Sequence, residues 1–291
     1  MSTPVVVHSI VDARSAIAAA RSESKGRGVV SPRVALVPTM GALHEGHLAL
    51  VERARESADV VVVSIFVNPL QFGDASDLAA YPRTLDSDVQ ALVGTGADVV
   101  FAPSADEMYP HGTPATRISG GDVAMRFEGR TRRGHFDGVL TVVAKLLHIV
   151  TPQIAVFGRK DAQQVFLVTQ MVRDLDLPIV IEAVDTVRES DGLALSSRNR
   201  RLDSRERAVA VTLHRALDAA GSAADRGIDA SIAAAQSTLM GEGQVKLDYL
   251  AIVDPATFRP VDDGHRGAAL VLIAAEVGGT RLIDNDTVYL G

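Results

Sequence analysis

The sequence contains no cysteine and no tryptophan, and aromatic residues make up only 4% of its 291 positions. Without cysteine the chain can form no disulfides, thiolate metal sites or cysteine nucleophile, as is usual in a reducing compartment. So few aromatics do not favour a stacking surface for single-stranded nucleic acid. The formal net charge of −7 argues against a broad surface for DNA or RNA. We therefore expect no nucleic acid partner, and any anion site must depend on a few local groups.

Long apolar runs are also missing from the sequence, which has no stretch of about 18 uncharged apolar residues. The apolar run at residues 5–11 is interrupted by His8 and followed by Asp12, so it lacks the basic start and long apolar core of a signal peptide. We expect no membrane partner and a cytoplasmic location. The hydrophobic share of 47% and charged share of 22% are typical of globular proteins. The length predicts two domains, or one large α/β domain with an appendage.

The first two thirds of the chain alternate between β-rich runs and helical patterns. Apolar, mostly β-branched runs predict strands at residues 34–37, 60–66, 99–101, 154–157 and 179–181. Helical spacing follows the first of these runs and also marks residues 139–150. This alternation predicts an α/β fold with a Rossmann-like parallel sheet that has helices on both faces. In such sheets ligands bind at the carboxyl ends of the strands.

The pattern changes after about residue 186. Asp203 and Glu206 have the spacing of a capping box, which predicts one long alanine-rich helix to about Asp225. A second helical stretch covers residues 231–240, and strands are predicted at residues 247–253, 269–277 and 280–283. We therefore expect a Rossmann-like domain at residues 1–186, followed at residues 187–291 by a smaller α+β domain with an antiparallel sheet that covers the active site.

Residues 38–47 form the most informative segment, since they follow a predicted strand and open a helix. Gly41 and Gly46 allow a ligand to approach the backbone, and free N–H groups at the helix start attract anions. His44 and His47 are three residues apart and share one helix face. Two imidazoles beside a helix start suit a polyphosphate. The alternatives are two solvated histidines in a turn, or a zinc site that has no evident third ligand.

Three further polar segments follow. Asn68 and Gln71 place amides after the second strand, although Asn-Pro there is also common in simple turns. Lys160 can bind a phosphate, while Asp161 can bind a ribose hydroxyl or cap the helix. Within residues 191–199, two serine hydroxyls and the Arg198 guanidinium can bind an oxyanion or a phosphate. The alternative is that this stretch is only a polar loop between domains. Together these segments predict nucleotide binding and group transfer without a covalent enzyme intermediate.

In their order and spacing, residues 38–47, 66–72, 160–164 and 196–199, together with residues 135–143, resemble the pantothenate synthetase (pantoate–β-alanine ligase) family. The resemblance extends over nearly the whole chain. It implies that pantoate and ATP form an enzyme-bound pantoyl adenylate with release of pyrophosphate, and that β-alanine then gives pantothenate and AMP. It further implies magnesium as the companion of ATP, and a homodimer.

The resemblance also implies roles for particular residues. The expected ATP site consists of Met40, Gly41, Ala42, Leu43, His44, Glu45, Gly46, His47, Gly158, Arg159, Lys160, Asp161, Val187, Leu195, Ser196, Ser197 and Arg198. The expected catalytic contacts among them are His44, His47, Lys160, Ser196, Ser197 and Arg198, with His47 as proton donor. The expected pantoate site consists of Gln71, Gln164, Asn68, Tyr81, Val142, Val143 and Phe157.

Some features of the sequence are open to two interpretations. Asp88 is a carboxylate near the magnesium or a solvated helix residue, and residues 129–134 are a moving flap or a surface loop. The chain departs from the common family pattern at Leu195, Arg159 and Ala162, where the family usually has methionine, an acidic residue and an aromatic residue. We expect these departures to change ATP affinity rather than to abolish activity.

Two other functions compete with the ligase on the residues alone. One is a nucleotidyltransferase that leaves AMP on a phosphorylated acceptor, which residues 38–47 also fit. The other is a nucleotide-sensing module that binds without turnover. An RNA-charging role is disfavoured by the acidic balance of the chain and the small size of the expected second domain.

Overall fold

A computed structural model describes residues 3–291 of the chain, which divide into two units. The first unit contains the residues up to Arg159 together with Leu167–Asp185. The second unit contains Lys160–Phe166 together with Thr186–Gly291. The chain therefore enters the second unit for seven residues, returns to the first, and crosses again near residue 186.

The first unit contains a six-stranded parallel sheet, in the order β1-β4-β3-β2-β5-β6. Its strands are β1 (Val5–Val7), β2 (Val34–Thr39), β3 (Val60–Ile65), β4 (Val99–Phe101), β5 (Ile154–Gly158) and β6 (Val180–Val184). The five strands predicted from the sequence are confirmed, although β6 extends further than expected. The short strand β1, which pairs with β4 at one edge, was not predicted.

Helices connect these strands. They are α1 (Ile10–Gly26), α2 (Glu45–Ser57), α3 (Ala75–Ala80), α4 (Leu85–Leu92), α5 (Ala105–Met108), α6 (Glu128–Thr131), α7 (His135–Val150) and α8 (Ala162–Asp174). The apolar residues at 34–37 and 60–63 are fully buried in the sheet. This burial explains why both runs are continuously apolar rather than alternating.

The strand order reverses direction at β2. Val34 of β2 pairs with Val60 of β3 on one side, while Ala35 of β2 pairs with Ile154 of β5 on the other. Ligands of open parallel sheets bind outside the carboxyl ends of the strands at such a switch point. Residues 40–47 follow β2 and residues 66–72 follow β3, so the topology places two of the predicted polar segments at this edge.

The second unit packs helices on a three-stranded antiparallel sheet of order β7-β8-β9. Its elements are α9 (Ser204–Ala210), α10 (Thr212–Ser222), α11 (Ile228–Met240), β7 (Lys246–Val253), β8 (Gly267–Val277) and β9 (Thr280–Leu290). The capping box of Asp203 and Glu206 is confirmed. The single long helix predicted behind it is wrong, because α9 ends before Val211 and α10 starts after it. The β-branched residues around this point have restricted side-chain rotamers in a helix.

In the part of the chain that the structure describes, none of the helices has both the length and the apolar character needed to cross a membrane.

Candidate functional site

The first part of the site is the turn between β2 and α2, where two imidazoles lie side by side. His44 is the N-cap of α2, and its Nδ1 accepts a hydrogen bond from the Gly46 N–H at 3.2 Å. The Nδ1 of His47 accepts one from the His44 N–H at 3.3 Å. The ring centroids are 4.1 Å apart, as the spacing of the two residues predicted.

These hydrogen bonds determine which nitrogen of each ring carries the proton. A nitrogen that accepts a hydrogen bond must have a lone pair, so the neutral ring carries its hydrogen on the other nitrogen. Both His44 and His47 therefore have an Nε2–H donor when neutral. Two such donors within one helical turn suit an anion with several oxygens, such as a polyphosphate.

Asp88 of α4 holds the same turn in place. Its Oδ2 accepts from the Ala42 N–H at 3.0 Å and its Oδ1 from the Leu43 N–H at 2.8 Å, while the Thr84 hydroxyl adds a bond of 3.1 Å. Asp88 is only 3% exposed, so the alternative of a solvated helix residue is wrong. Its carboxylate stabilises Ala42, which is buried and has an unusual positive φ of 51°.

The N–H groups of the three residues Gly41–Leu43, ahead of α2, therefore already have hydrogen-bond acceptors. The Gly41 N–H donates to the Thr39 hydroxyl at 3.2 Å, and the N–H groups of Ala42 and Leu43 donate to Asp88. These three residues precede the N-cap His44, so the expectation that N–H groups at the start of α2 attract an anion stays a prediction. The side chains that this segment can offer an anion are the two imidazoles beside the start of α2.

Across residues 3–291, no group of three or more acidic, histidine or cysteine side chains is arranged to hold a metal ion. Both oxygens of Asp88 accept backbone N–H groups, so its observed contacts hold the turn, and a role near magnesium stays a prediction.

The second part of the site follows β3, where two amides contact each other. Asn68 caps a short turn at Pro69–Gln71, and its Nδ2 donates to Gln71 Oε1 and to the Gly138 carbonyl, both at 3.1 Å. Gln71 in turn donates from Nε2 to the sulfur of Met40 at 2.9 Å. The structure therefore brings together the segments at residues 40–47 and 66–72, as the sequence predicted.

Tyr109 is a part of this network that was not predicted from the sequence. Its hydroxyl donates to Asn68 Oδ1 at 2.9 Å, and the Lys145 ammonium lies 5.5 Å from the centre of its ring. Burial raises the pKa of the Tyr109 hydroxyl to about 12. Tyr109 and Asn68 are 41 residues apart, and no local pattern in the sequence indicates that they meet.

Two side chains near the start of α7 hold the backbone of Gln71. The Nδ1 of His135 lies 2.9 Å from the Gln71 carbonyl, and Arg132 donates to the same oxygen at 3.5 Å. Just before them, Gly129 is buried against the Ala124 carbonyl, which would lie 1.7 Å from an added Cβ. The beginning of the segment at residues 129–134 is therefore packed rather than a surface loop, and its motion stays a prediction.

The expected apolar contacts of pantoate are also in the first unit. Tyr81 packs edge-on against Phe72, the residue after Gln71, with a centroid distance of 5.7 Å. The remaining members of the expected pantoate wall are all buried, on α7 and β5: Val142, Val143 and Phe157.

At the end of β5, Gly158 leads into a short turn at Arg159–Asp161. Arg159 makes an exposed ion pair of 3.3 Å with Asp185. Because this guanidinium is exposed and paired, the departure from the family pattern at Arg159 does not bury an uncompensated charge.

The second unit carries the other predicted residues. Lys160 and Ser196 line one small pocket together with Asn199 and Asp284. The Lys160 carbonyl accepts a hydrogen bond from Asn285 Nδ2 at 2.8 Å. The structure thus brings Lys160 and Ser196 together, although they are far apart in the sequence.

Val187 and Leu195 are neighbours across a hairpin, since the Leu195 N–H donates to the Val187 carbonyl at 2.9 Å. Within this hairpin, Arg188 makes an ion pair of 2.6 Å with the buried Asp284. Neither the hairpin nor the ion pair that holds it was predicted from the sequence.

Ser196 follows this hairpin and caps the turn at Ser197–Arg201, because its oxygen accepts from the Arg198 N–H at 3.2 Å. Asp161 is exposed, and Gln164 is partly buried in the first turn of α8.

A sequence profile of the family described as "Pantoate-beta-alanine ligase" matches residues 5–287. A pantothenate synthetase of Leifsonia xyli subsp. xyli is 58% identical over 277 residues, which cover 95% of this chain and 94% of the relative. The crystal structure of a pantothenate synthetase from Thermus thermophilus is 44% identical with a TM-score of 0.89, and the match covers 98% of this chain and 99% of that one.

A pantoate-beta-alanine ligase from Francisella tularensis, described as complexed with "Beta-gamma ATP and Beta-alanine", is 34% identical with a TM-score of 0.77. That match covers 97% of each chain. The resemblance inferred from the polar segments is confirmed by these matches, which favour the ligase over both competing functions. Because the profile and the relatives match almost the entire length of the chain, it belongs to the pantoate-beta-alanine ligase family.

Proposed function

We propose that the chain condenses pantoate with β-alanine in an ATP-dependent reaction that passes through an enzyme-bound pantoyl adenylate. A pantoate carboxylate oxygen attacks the α-phosphorus of ATP, which forms an O–P bond and releases pyrophosphate. The amine nitrogen of β-alanine then attacks the acyl carbon, forms the amide, loses its extra proton and releases AMP. The observation that carries the proposal is the His44–His47 pair with its two Nε2–H donors, in a chain of this family.

In the first unit, the two imidazoles bind the phosphates of ATP. Negative charge increases on the phosphoryl and pyrophosphate oxygens as the P–O bond breaks, and Nε2–H donors stabilise that charge. The Nε2–H of His47 donates a hydrogen bond to a phosphate oxygen, and residues 40–47 and 158–159 border the nucleotide. One well-placed donor of this kind typically contributes about 3 kcal/mol to the lowering of the barrier.

The same unit holds pantoate through the Gln71 amide, with Tyr81, Val142, Val143 and Phe157 as its apolar surroundings. This assignment is supported by the burial of these side chains and by the hydrogen bond between Gln71 and Met40 of the ATP segment. Holding both reactants in one orientation supplies much of the remaining rate acceleration.

In the second unit, Lys160, Ser196, Ser197 and Arg198 bind phosphate oxygens, while Asp161 binds the ribose. Val187 and Leu195 contact adenine, and Gln164 contacts pantoate. The shared pocket of Lys160 and Ser196 supports this grouping. The hairpin that places Val187 beside Leu195 supports their assignment to adenine, since adjacent apolar side chains suit a flat base.

Magnesium would enter with ATP, held by its phosphates, and would partly neutralise their charge. No residue is assigned as a direct ligand, since residues 3–291 contain no group of three or more acidic, histidine or cysteine side chains that could hold a metal ion.

Isotope exchange between pyrophosphate and ATP tests the proposed intermediate. We expect exchange that requires pantoate and does not require β-alanine. Exchange that proceeds equally well without pantoate would contradict the proposed adenylate intermediate. A stable adenylylated product without free AMP would instead identify a nucleotidyltransferase, and ATP binding without AMP release would identify a binding module.

Two substitutions test the phosphate site. Lys160→Ala and His47→Ala should each lose most of the turnover while the far-UV circular dichroism spectrum stays unchanged. Lys25→Ala and His111→Ala are matched controls at exposed positions and should keep normal rates. A near-normal rate for either test variant would mean that the phosphates bind elsewhere.

We also propose that the chain forms a homodimer and acts in the cytoplasm. The resemblance to the family supports the dimer, and the outer strand β6 has an exposed apolar residue, Val180. Sedimentation equilibrium of the purified protein should give twice the chain mass of 30.7 kDa. A monomer mass at micromolar concentration would contradict the dimer.

A further inference from the structure

Asn68 was expected to border the pantoate pocket, but its hydrogen bonds point to another role. Its side chain is 1% exposed. Its Oδ1 accepts from the Tyr109 hydroxyl at 2.9 Å and from the Leu70 N–H at 3.3 Å. Its Nδ2 donates to Gln71 Oε1 and to the Gly138 carbonyl, both at 3.1 Å.

A carboxamide has two donor hydrogens and two acceptor lone pairs. All four are used inside the protein, which leaves Asn68 no hydrogen bond to offer a substrate. The orientation of its amide is unambiguous, because a carbonyl such as that of Gly138 can only accept and an N–H such as that of Leu70 can only donate. The Tyr109 hydroxyl must therefore donate to Asn68.

The orientation of Asn68 determines that of Gln71. Since Gln71 Oε1 accepts from Asn68, Gln71 directs its Nε2 donors away, toward the sulfur of Met40 at 2.9 Å. A thioether sulfur is a weak acceptor. An oxygen of the acid substrate can replace it with a stronger hydrogen bond, so Gln71 is prepared to donate to pantoate rather than to accept from it.

We infer that Tyr109 and Asn68 are positioning residues, which hold the Gln71 amide with its Nε2–H groups directed at the substrate acid. The inference rests on the proposed function, in which Gln71 contacts pantoate. Tyr109 completes the network from the end of α5, and its burial against Phe66, with ring centroids 6.1 Å apart, keeps the hydroxyl in place.

The test is a double-mutant cycle between Tyr109 and Gln71. Tyr109→Phe removes one oxygen, and we expect the KM for pantoate to rise about three- to tenfold, the usual effect of losing one hydrogen bond. The KM for ATP should change less than twofold. In a Gln71→Ala background, adding Tyr109→Phe should change the pantoate KM less than twofold, because the group that it positions is already gone. Tyr289→Phe, at an exposed position, is the matched control.

Pantoate binding measured by calorimetry, with the fold checked by thermal unfolding, gives a second measurement that does not depend on turnover. Equal effects of Tyr109→Phe in both backgrounds, parallel changes in the two KM values, or no change in pantoate affinity would each overturn the positioning role. If Gln71→Ala itself leaves pantoate affinity unchanged, the assignment of Gln71 in the proposed function fails, and the inference fails with it.

Discussion

Asp88→Asn tests whether one buried carboxylate holds the nucleotide segment in place. The substitution keeps the size of the side chain but replaces one acceptor oxygen with an NH2 group. One oxygen can still accept from the Leu43 N–H. The NH2 group would then face the Ala42 N–H, so two donors would meet in a buried environment.

The size of the effect follows from these contacts. Each hydrogen bond to a charged group contributes about 1.5–3 kcal/mol to the free energy of unfolding. In Asp88→Asn the bond from Ala42 is lost, and the bond from Leu43 becomes a weaker bond to a neutral group. Ala42 has a positive φ of 51°, a conformation that persists only when its surroundings enforce it. We expect the free energy of unfolding to fall by about 3 kcal/mol. For a unit of this size that corresponds to a melting temperature lower by roughly 6–12 °C.

Urea denaturation followed by circular dichroism measures the loss of stability, and steady-state kinetics measure the KM for ATP. The KM should rise several-fold, since His44 and His47 follow the loosened turn directly. Asp86→Asn is the matched control, because Asp86 is exposed on the same helix α4. A loss below about 0.5 kcal/mol, the usual limit for surface changes, would mean that Asp88 does not hold this turn in place.

Three further predictions concern packing and pH. Gly138→Ala would put a Cβ 2.4 Å from the Leu70 carbonyl. We expect the free energy of unfolding, measured by urea denaturation, to fall by about 1–3 kcal/mol and the KM for pantoate to rise. Gly192 has a φ of +95°, and Gly192→Ala would put a Cβ 2.0 Å from the His214 ring. We expect this substitution to lower the free energy of unfolding by about 2–4 kcal/mol in the same assay. The folded pKa of Tyr109, about 12, exceeds the unfolded value of about 10, so its contribution to stability is present below pH 10 and lost as the pH rises toward 12. Between about pH 10 and pH 12 the wild-type free energy of unfolding should therefore fall more steeply than that of Tyr109→Phe.

Each of these predictions has a control or a contrary outcome. Gly26→Ala, in helix α1 with open space around it, should be neutral or stabilising, in contrast to Gly138→Ala. Gly227 has a φ of +94° and no atoms nearby, so Gly227→Ala measures the backbone strain of Gly192→Ala without its steric clash. Equal losses within either pair would contradict the packing argument. Parallel pH curves for wild type and Tyr109→Phe would contradict the pH argument.

The parallel sheet was predictable because its central strands are continuous runs of β-branched residues. Strand β1 was not, since Val5–Val7 is a three-residue strand at an edge and Val5 is exposed, so it has no distinctive burial pattern. The helix break at Val211 was missed as well, because the alanine-rich stretch around it satisfies the local pattern of one continuous helix.

In the site, the polar segments at strand ends were predictable because strand, turn and helix signals are local. The partners that orient them were not. Asp88 accepts from Leu43, which is 45 residues away, and Tyr109 donates to Asn68 over a similar separation. A helical pattern assigns an aspartate to the solvent by default, and only tertiary structure shows that its oxygens have backbone donors to bind.

The seven residues Lys160–Phe166 limit how the chain can be divided experimentally. A fragment that stops near residue 185 keeps Phe166 but loses Phe258, whose ring centroid lies 5.2 Å from that of Phe166. It also keeps Lys160 without the Asn285 amide that holds its carbonyl. Neither unit therefore corresponds to one uninterrupted stretch of gene, and truncation or domain exchange would have to transfer this short insert separately.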